Sequence, residues 1–215
     1  MDKDSFLDTN IIINYSRYVK DGSLDIEEKC FLFIFNKKGK FILCGAVLEE
    51  LSKFSKKKAF IHKIVIDKIK NESIHFENIL NKKEVPFAKK LYEIFKDKDI
   101  KEVSKKLAFE RDFTQISIDN FLNSKVDETI IHIEEIDNEL VSKIHDFINN
   151  HADCKILASA LQLQSQNNRE IFLFVTADEK DFSPNGYAFL KDQFELIGLN
   201  KKYRFPELIN LRFKD

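Results

Sequence analysis

At 215 residues, with 43% hydrophobic and 33% charged side chains, the chain has enough apolar surface to bury a sizeable core, and its composition excludes a disordered segment. The net charge of −1 does not by itself mark a nucleic-acid protein, but residues 52 to 125 carry 18 basic and 11 acidic side chains, a net of +7, between ends of −2 and −6. Cys30, Cys44 and Cys154 lie far apart in apolar surroundings with no metal-ligand spacing, so they read as core thiols of a reducing compartment.

Met1-Asp2-Lys3-Asp4 carries acids where a signal peptide needs positive charge, and no apolar run approaches a membrane span, so a cytoplasmic protein is expected. Ser5-Phe6-Leu7 reads as a short buried strand ending at Asp8. Ile11, Ile12, Ile13 and Tyr15 then open a helix that Thr9 or Asn10 would cap. A second helix is expected from Leu24 to Phe35. Phe41 to Cys44 reads as another buried strand, followed by a helix that includes Val47 to Leu51. The alternation of strand and helix predicts an α/β fold with a parallel sheet.

From about residue 52 to 123 the chain has one proline, Pro86, no glycine, and apolar residues at helical spacing, such as Ile61, Ile64, Val65 and Ile69. This predicts a helical insertion, at about 56–125, in a single domain. Thr129 to Ile133 fits a strand or a helix start. Leu140 to Ile148 and Asp153 to Gln164 read as helices, Gln164 to Arg169 as a loop, and Ile171 to Thr176 as a strand bounded by Asp178. Tyr187 to Ile197 closes the helices and Leu208 to Leu211 is a last strand.

Four acids then occupy equivalent places. Asp8 ends the first strand, Glu50 lies in the helix after the second, Asp153 starts a helix, and Asp178 follows the strongest strand. In an open parallel sheet, the C-terminal strand ends and the helix starts beside them face one crevice. Clustered carboxylates repel and raise one another's pKa unless a cation neutralises them, and Mg2+ or Mn2+ suits carboxylate oxygen. The chemistry implied is metal-assisted hydrolysis of a phosphodiester. Any one of these aspartates could instead be an ordinary turn or cap residue, whose carboxylate accepts backbone N–H bonds.

The local sequences resemble the PIN domain family. Phe6-Leu7-Asp8-Thr9-Asn10-Ile11-Ile12 looks like its opening strand, and Val47-Leu48-Glu49-Glu50-Leu51 is similar to its glutamate-leucine helix. Asp153 with Ile156-Leu157-Ala158-Ser159-Ala160-Leu161 resembles its aspartate-led helix, and Phe174-Val175-Thr176-Ala177-Asp178-Glu179-Lys180-Asp181-Phe182 its closing strand and turn. The four motifs stand in family order and cover roughly residues 4 to 55 and 136 to 185.

The resemblance implies a Rossmann-like three-layer sandwich and a metal-dependent ribonuclease, with Asp8, Glu50, Asp153 and Asp178 as metal ligands or water-orienting catalytic groups. Thr176 would orient the Asp8 carboxylate and Asn10 would do likewise, while Asp181 would stand as a further metal-associated acid or a helix-start residue. Adjacent helical residues point roughly 100° apart, so only one of Glu49 and Glu50 faces the crevice, and Leu51 after Glu50 selects Glu50.

Lys53, Lys56 and Lys57 would grip a nucleic-acid backbone, although a lysine run also suits a solvated surface. The expected substrate is single-stranded RNA, and the expected setting a toxin of a toxin–antitoxin pair or a phage-defence effector, with an antitoxin or other inhibitor protein and a second copy of the chain as partners. The alternatives are a catalytically silent RNA- or protein-binding module and a structure-specific DNA nuclease.

Overall fold

A computed structural model describes residues 3–22, 25–129, 135–166 and 172–213. The chain divides into two compact units, one formed by Met1–Leu51 with Ser117–Asp215, the other by Ser52–Ile116.

The first unit is built on a five-stranded sheet: β1 (Ser5–Leu7), β2 (Phe41–Leu43), β3 (Val126–Thr129), β4 (Leu173–Thr176) and β5 (Glu207–Asn210), in the order β3-β2-β1-β4-β5. Every pairing is parallel, with Phe6 opposite both Ile42 and Phe174. The expected α/β fold with a parallel sheet is therefore observed. All residues of β1, β2 and β4 are buried, which explains their unbroken apolar runs: a strand covered on both faces has no solvent side to encode.

The helices are α1 (Thr9–Asp21), α2 (Asp25–Asn36), α3 (Gly45–Lys70), α4 (Val85–Phe95), α5 (Ile100–Lys125), α6 (Asn138–His145), α7 (His151–Gln166) and α8 (Pro184–Leu196). The chain steps outward from β1 through β2 to β3, then to β4 and β5 on the other side of β1. Crossovers between parallel strands are right-handed as a rule, so this reversal of direction is consistent with helices on both faces, a three-layer arrangement. Its core includes Phe6, Leu7, Ile42, Leu43, Phe174 and Val175, with Phe174 edge-on to Phe182 at 5.0 Å between ring centres. In α7, Ile156, Leu157, Ala158, Ala160, Leu161 and Leu163 are all buried.

The second unit is helical, with its own core of Ile61, Ile64, Val65, Phe76, Leu80, Ala88, Leu91, Phe95, Val103 and Leu107. His62 is buried there, its Nδ1 3.2 Å from the Leu107 carbonyl oxygen. The insertion expected at about 56–125 compares with a unit bounded at Ser52 and Ile116, ends that fall inside α3 and α5.

Several boundaries differ from expectation. Helix α3 runs on to Lys70, because no glycine or proline interrupts it, and α7 extends to Gln166, past the loop start expected at Gln164. Thr129 ends β3, and the rest of the segment to Ile133 lies outside the described residues, as do Leu24, residues 167 to 169 of the expected loop, Ile171 and the first two residues. Neither Thr9 nor Asn10 caps α1. Asp8 holds the cap position without a side-chain cap bond, and both neighbours spend their polar groups elsewhere. Among the described residues no helix is long and apolar enough to cross a membrane. All three cysteines are buried and free.

Candidate metal centre

The strand order reverses at β1 and β4, which is where an open parallel sheet forms its crevice. Asp8 follows β1 directly, its amide donating to Val175 O at 3.0 Å, so the sheet itself sets its position. Glu50 projects from the second turn of α3, after β2, and Asp153 from the first turn of α7. One carboxylate oxygen from each of Asp8, Glu50 and Asp153 lies within 4.8 Å of the others, although 145 positions separate the ends of the set in sequence. Glu50 joins this set and its neighbour Glu49 does not.

Two of the three acids, Asp8 and Glu50, are held from behind. The Thr176 hydroxyl donates to Asp8 Oδ2 at 2.6 Å, and Asn10 Nδ2 donates to the same oxygen at 2.5 Å. Asn10 is fixed in turn, because its Oδ1 accepts the Ala177 amide at 2.8 Å. Both donors therefore land on one oxygen of Asp8. The Thr9 hydroxyl donates to Glu50 Oε2 at 2.6 Å, a role that sequence reading missed by treating Thr9 as a cap. A hydroxyl next to the strand-end aspartate was the available signal.

Asp178 stands close but outside the tight set. Its Oδ1 accepts the amides of Lys180, at 2.8 Å, and Phe182, at 3.0 Å, so half of its carboxylate closes its own turn. Its charge nevertheless acts on both Asp8 and Asp153. Asp181 also lies outside the set, with Lys180 Nζ 3.8 Å from its Oδ1. Lys53, Lys56 and Lys57 are exposed residues of the second unit, where Lys57 pairs with Glu84 at 2.8 Å.

The electrostatics follow from this packing. Burial pushes the Asp8 carboxyl up to about 7 against the opposing Thr176 hydrogen bond, and the charges of Glu50 and Asp178 add to the rise. Burial likewise raises Asp153 to about 8, with Asp8, Glu50 and Asp178 contributing in that order. Asp8, Glu50 and Asp153 form no ion pair with Lys, Arg or His among the described residues.

Such a cluster must either hold protons at neutral pH or take a cation. The donors are hard carboxylate oxygens backed by hydrogen-bonded partners, which suits Mg2+ or Mn2+. A thiolate-seeking metal has no place here, since each cysteine thiol is held protonated by burial and none belongs to the set.

No family model, no curated protein and no solved structure matches the chain.

Proposed function

We propose that the chain is a divalent-metal-dependent nuclease of the PIN-like type that hydrolyses phosphodiester bonds in single-stranded RNA. The observation that supports it most is the convergence of Asp8, Glu50 and Asp153 oxygens within 4.8 Å of one another, with no neutralising ion pair among the described residues. The resemblance of four local sequences to PIN motifs, with the acids at the same places in those motifs, supplies the reaction class and the choice of RNA.

In this reading Asp8, Glu50 and Asp153 hold Mg2+ or Mn2+. Such an ion lowers the pKa of water and meets the negative charge that builds on a phosphate oxygen. Thr176 and Asn10 fix one oxygen of Asp8 and so would orient its carboxylate for the ion. Thr9 fixes Glu50. Asp178 would add negative charge beside the set and so strengthen its hold on a cation. A toxin or defence role, with an inhibitor protein as partner, belongs to the same reading.

The test is cleavage of end-labelled single-stranded RNA in Mn2+ or Mg2+, compared with EDTA and with Asp8→Asn, and with flap DNA as a parallel substrate. RNA cleavage that needs the ion and vanishes in Asp8→Asn is expected. Equal cleavage by the wild type and Asp8→Asn would assign the activity to something else, and preferential cleavage of the flap would move the substrate to DNA.

A further inference from the structure

Asn210 and Arg212 close the last strand of the sheet, and neither belongs to the acid set. Asn210 pairs in register with Thr176 across β4 and β5 and is 6% exposed. Its amide is fully used: Nδ2 donates to Asp178 O at 2.7 Å and to Phe182 O at 2.8 Å, while Oδ1 accepts the Arg212 amide at 3.0 Å. Arg212 Nε donates to Ala177 O at 3.2 Å, and its Nη1 pairs with Glu179 Oε1 at 2.6 Å. Four polar contacts of these two side chains, and two more of the Asp178 carboxylate, thus fall on one turn, residues 177 to 182.

That turn is the one that carries the fourth acid. Its inner side is tied to the metal centre, because the Asp178 amide donates to Thr176 Oγ1 at 3.1 Å and the same hydroxyl donates to Asp8. Its far side is tied by close packing. A Cβ on Gly186 would stand 2.9 Å from Asp181 O and 3.0 Å from Lys180 O, so only glycine lets α8 approach so near. The placement of the arginine is also informative. Its guanidinium is engaged with Glu179 and a carbonyl rather than with Asp178, and Asp178 has no ion pair among the described residues. A guanidinium on Asp178 would neutralise the carboxylate; here it fastens the backbone from outside and leaves the charge in place.

We infer that Asn210 and Arg212 are positioning residues that lock the 177–182 turn so that Asp178 bears on the metal centre. The inference rests on the metal-centre reading above and goes beyond it by assigning the edge strand β5 a part in the site. An asparagine that merely closes a turn would contribute to stability alone; one that acts through Asp178 must lose its effect on metal binding when Asp178 is neutralised.

The experiment is a double-mutant cycle read by calorimetric titration of the full chain with Mn2+. Asn210→Ala and Arg212→Gln are each measured alone and in an Asp178→Asn background, with melting temperatures recorded alongside. Asn210→Ala is expected to weaken Mn2+ binding by about 10-fold, the scale at which partners behind metal ligands act, and Arg212→Gln by less. In the Asp178→Asn background both should shift affinity by no more than about twofold, the scatter of independent sites. Unchanged affinity in the single variants, or the same loss in both backgrounds, overturns the inference. Should Asn210→Ala fail to fold, Arg212→Gln, whose side chain is partly exposed, decides the same question. A wild-type chain that takes up no Mn2+ would defeat the metal-centre reading itself, which the cycle separates from a failure of the lock alone.

Discussion

Asp137 and Asp153 begin neighbouring helices of the same unit, and they have opposite fates. Asp137 caps α6: its Oδ1 accepts the amides of Glu139 and Leu140, and its Oδ2 accepts the Tyr203 hydroxyl at 2.5 Å, with Lys202 Nζ 3.5 Å away. The Tyr203 hydrogen bond foremost, then the Leu140 amide, holds its carboxyl below the ordinary value. Asp153 sits in the first turn of α7 yet is raised to about 8 by burial and by three other acids. The difference teaches how to separate a capping aspartate from a ligand. A cap is compensated by its own helix amides and by neighbouring side chains such as Tyr203, whereas a candidate ligand is buried among other acids with no ion pair among the described residues. Asp178 lies between the two, with one oxygen capping and its charge still felt by Asp8 and Asp153.

The sharpest way to break this comparison is to neutralise both aspartates. Asp153→Asn should weaken Mn2+ binding by on the order of 100-fold or more, beyond the loss of an outer partner. It should also raise the melting temperature in EDTA at pH 8, because a buried and repelled charge is removed. An EDTA melting temperature below that of the wild type would place Asp153 among the ordinary stabilising carboxylates.

The second effect is on pH. Asp8 and Asp153 have folded pKa values raised above the unfolded ~3.9. Their contribution to stability is therefore fully present below pH ~4 and lost as pH rises through about 7 and about 8. Thermal melts in EDTA should fall between pH 5 and 9, and saturating Mn2+ should flatten the decline by binding the folded state. Asp137 has the opposite sign: its lowered pKa gives stability that is present above ~3.9 and lost as pH falls through the folded value. A rising melting temperature from pH 5 to 9 in EDTA would contradict the assignment of the two crevice acids.

A smaller effect is expected for Thr9→Val, which removes the donor to Glu50 while keeping the shape. Mn2+ affinity should drop about 10-fold, as read by titration, with the melting temperature in EDTA little changed. Smallest at the metal is Asp137→Ala, which should cost about 1 kcal/mol of stability in denaturant melts and leave Mn2+ binding where it was. A loss of metal affinity in that variant would blur the distinction between cap and ligand.

The parallel sheet was legible because its inner strands are buried on both faces, which writes them as short apolar runs such as Phe41 to Leu43. The positions of Asp8, Glu50 and Asp153 were legible for a related reason, since each acid stands where such a run or a helix turn opens onto the crevice. The extent of α3 and α7 was not, because the absence of glycine and proline permits a helix to continue without fixing where it ends. Asn210 left almost no trace in the sequence. An asparagine at the end of an edge strand reads as a turn residue until its amide is seen to meet two carbonyls 28 and 32 positions earlier. Thr9 was hidden because a hydroxyl beside a helix start is so often a cap.

The most direct measurement is anomalous diffraction from crystals of the full chain soaked in Mn2+. The expected result is a peak between Asp8, Glu50 and Asp153, with carboxylate oxygens at roughly 2.0 to 2.6 Å from the ion. Ordered carboxylates with no peak among them, at Mn2+ concentrations that saturate other such sites, would contradict it.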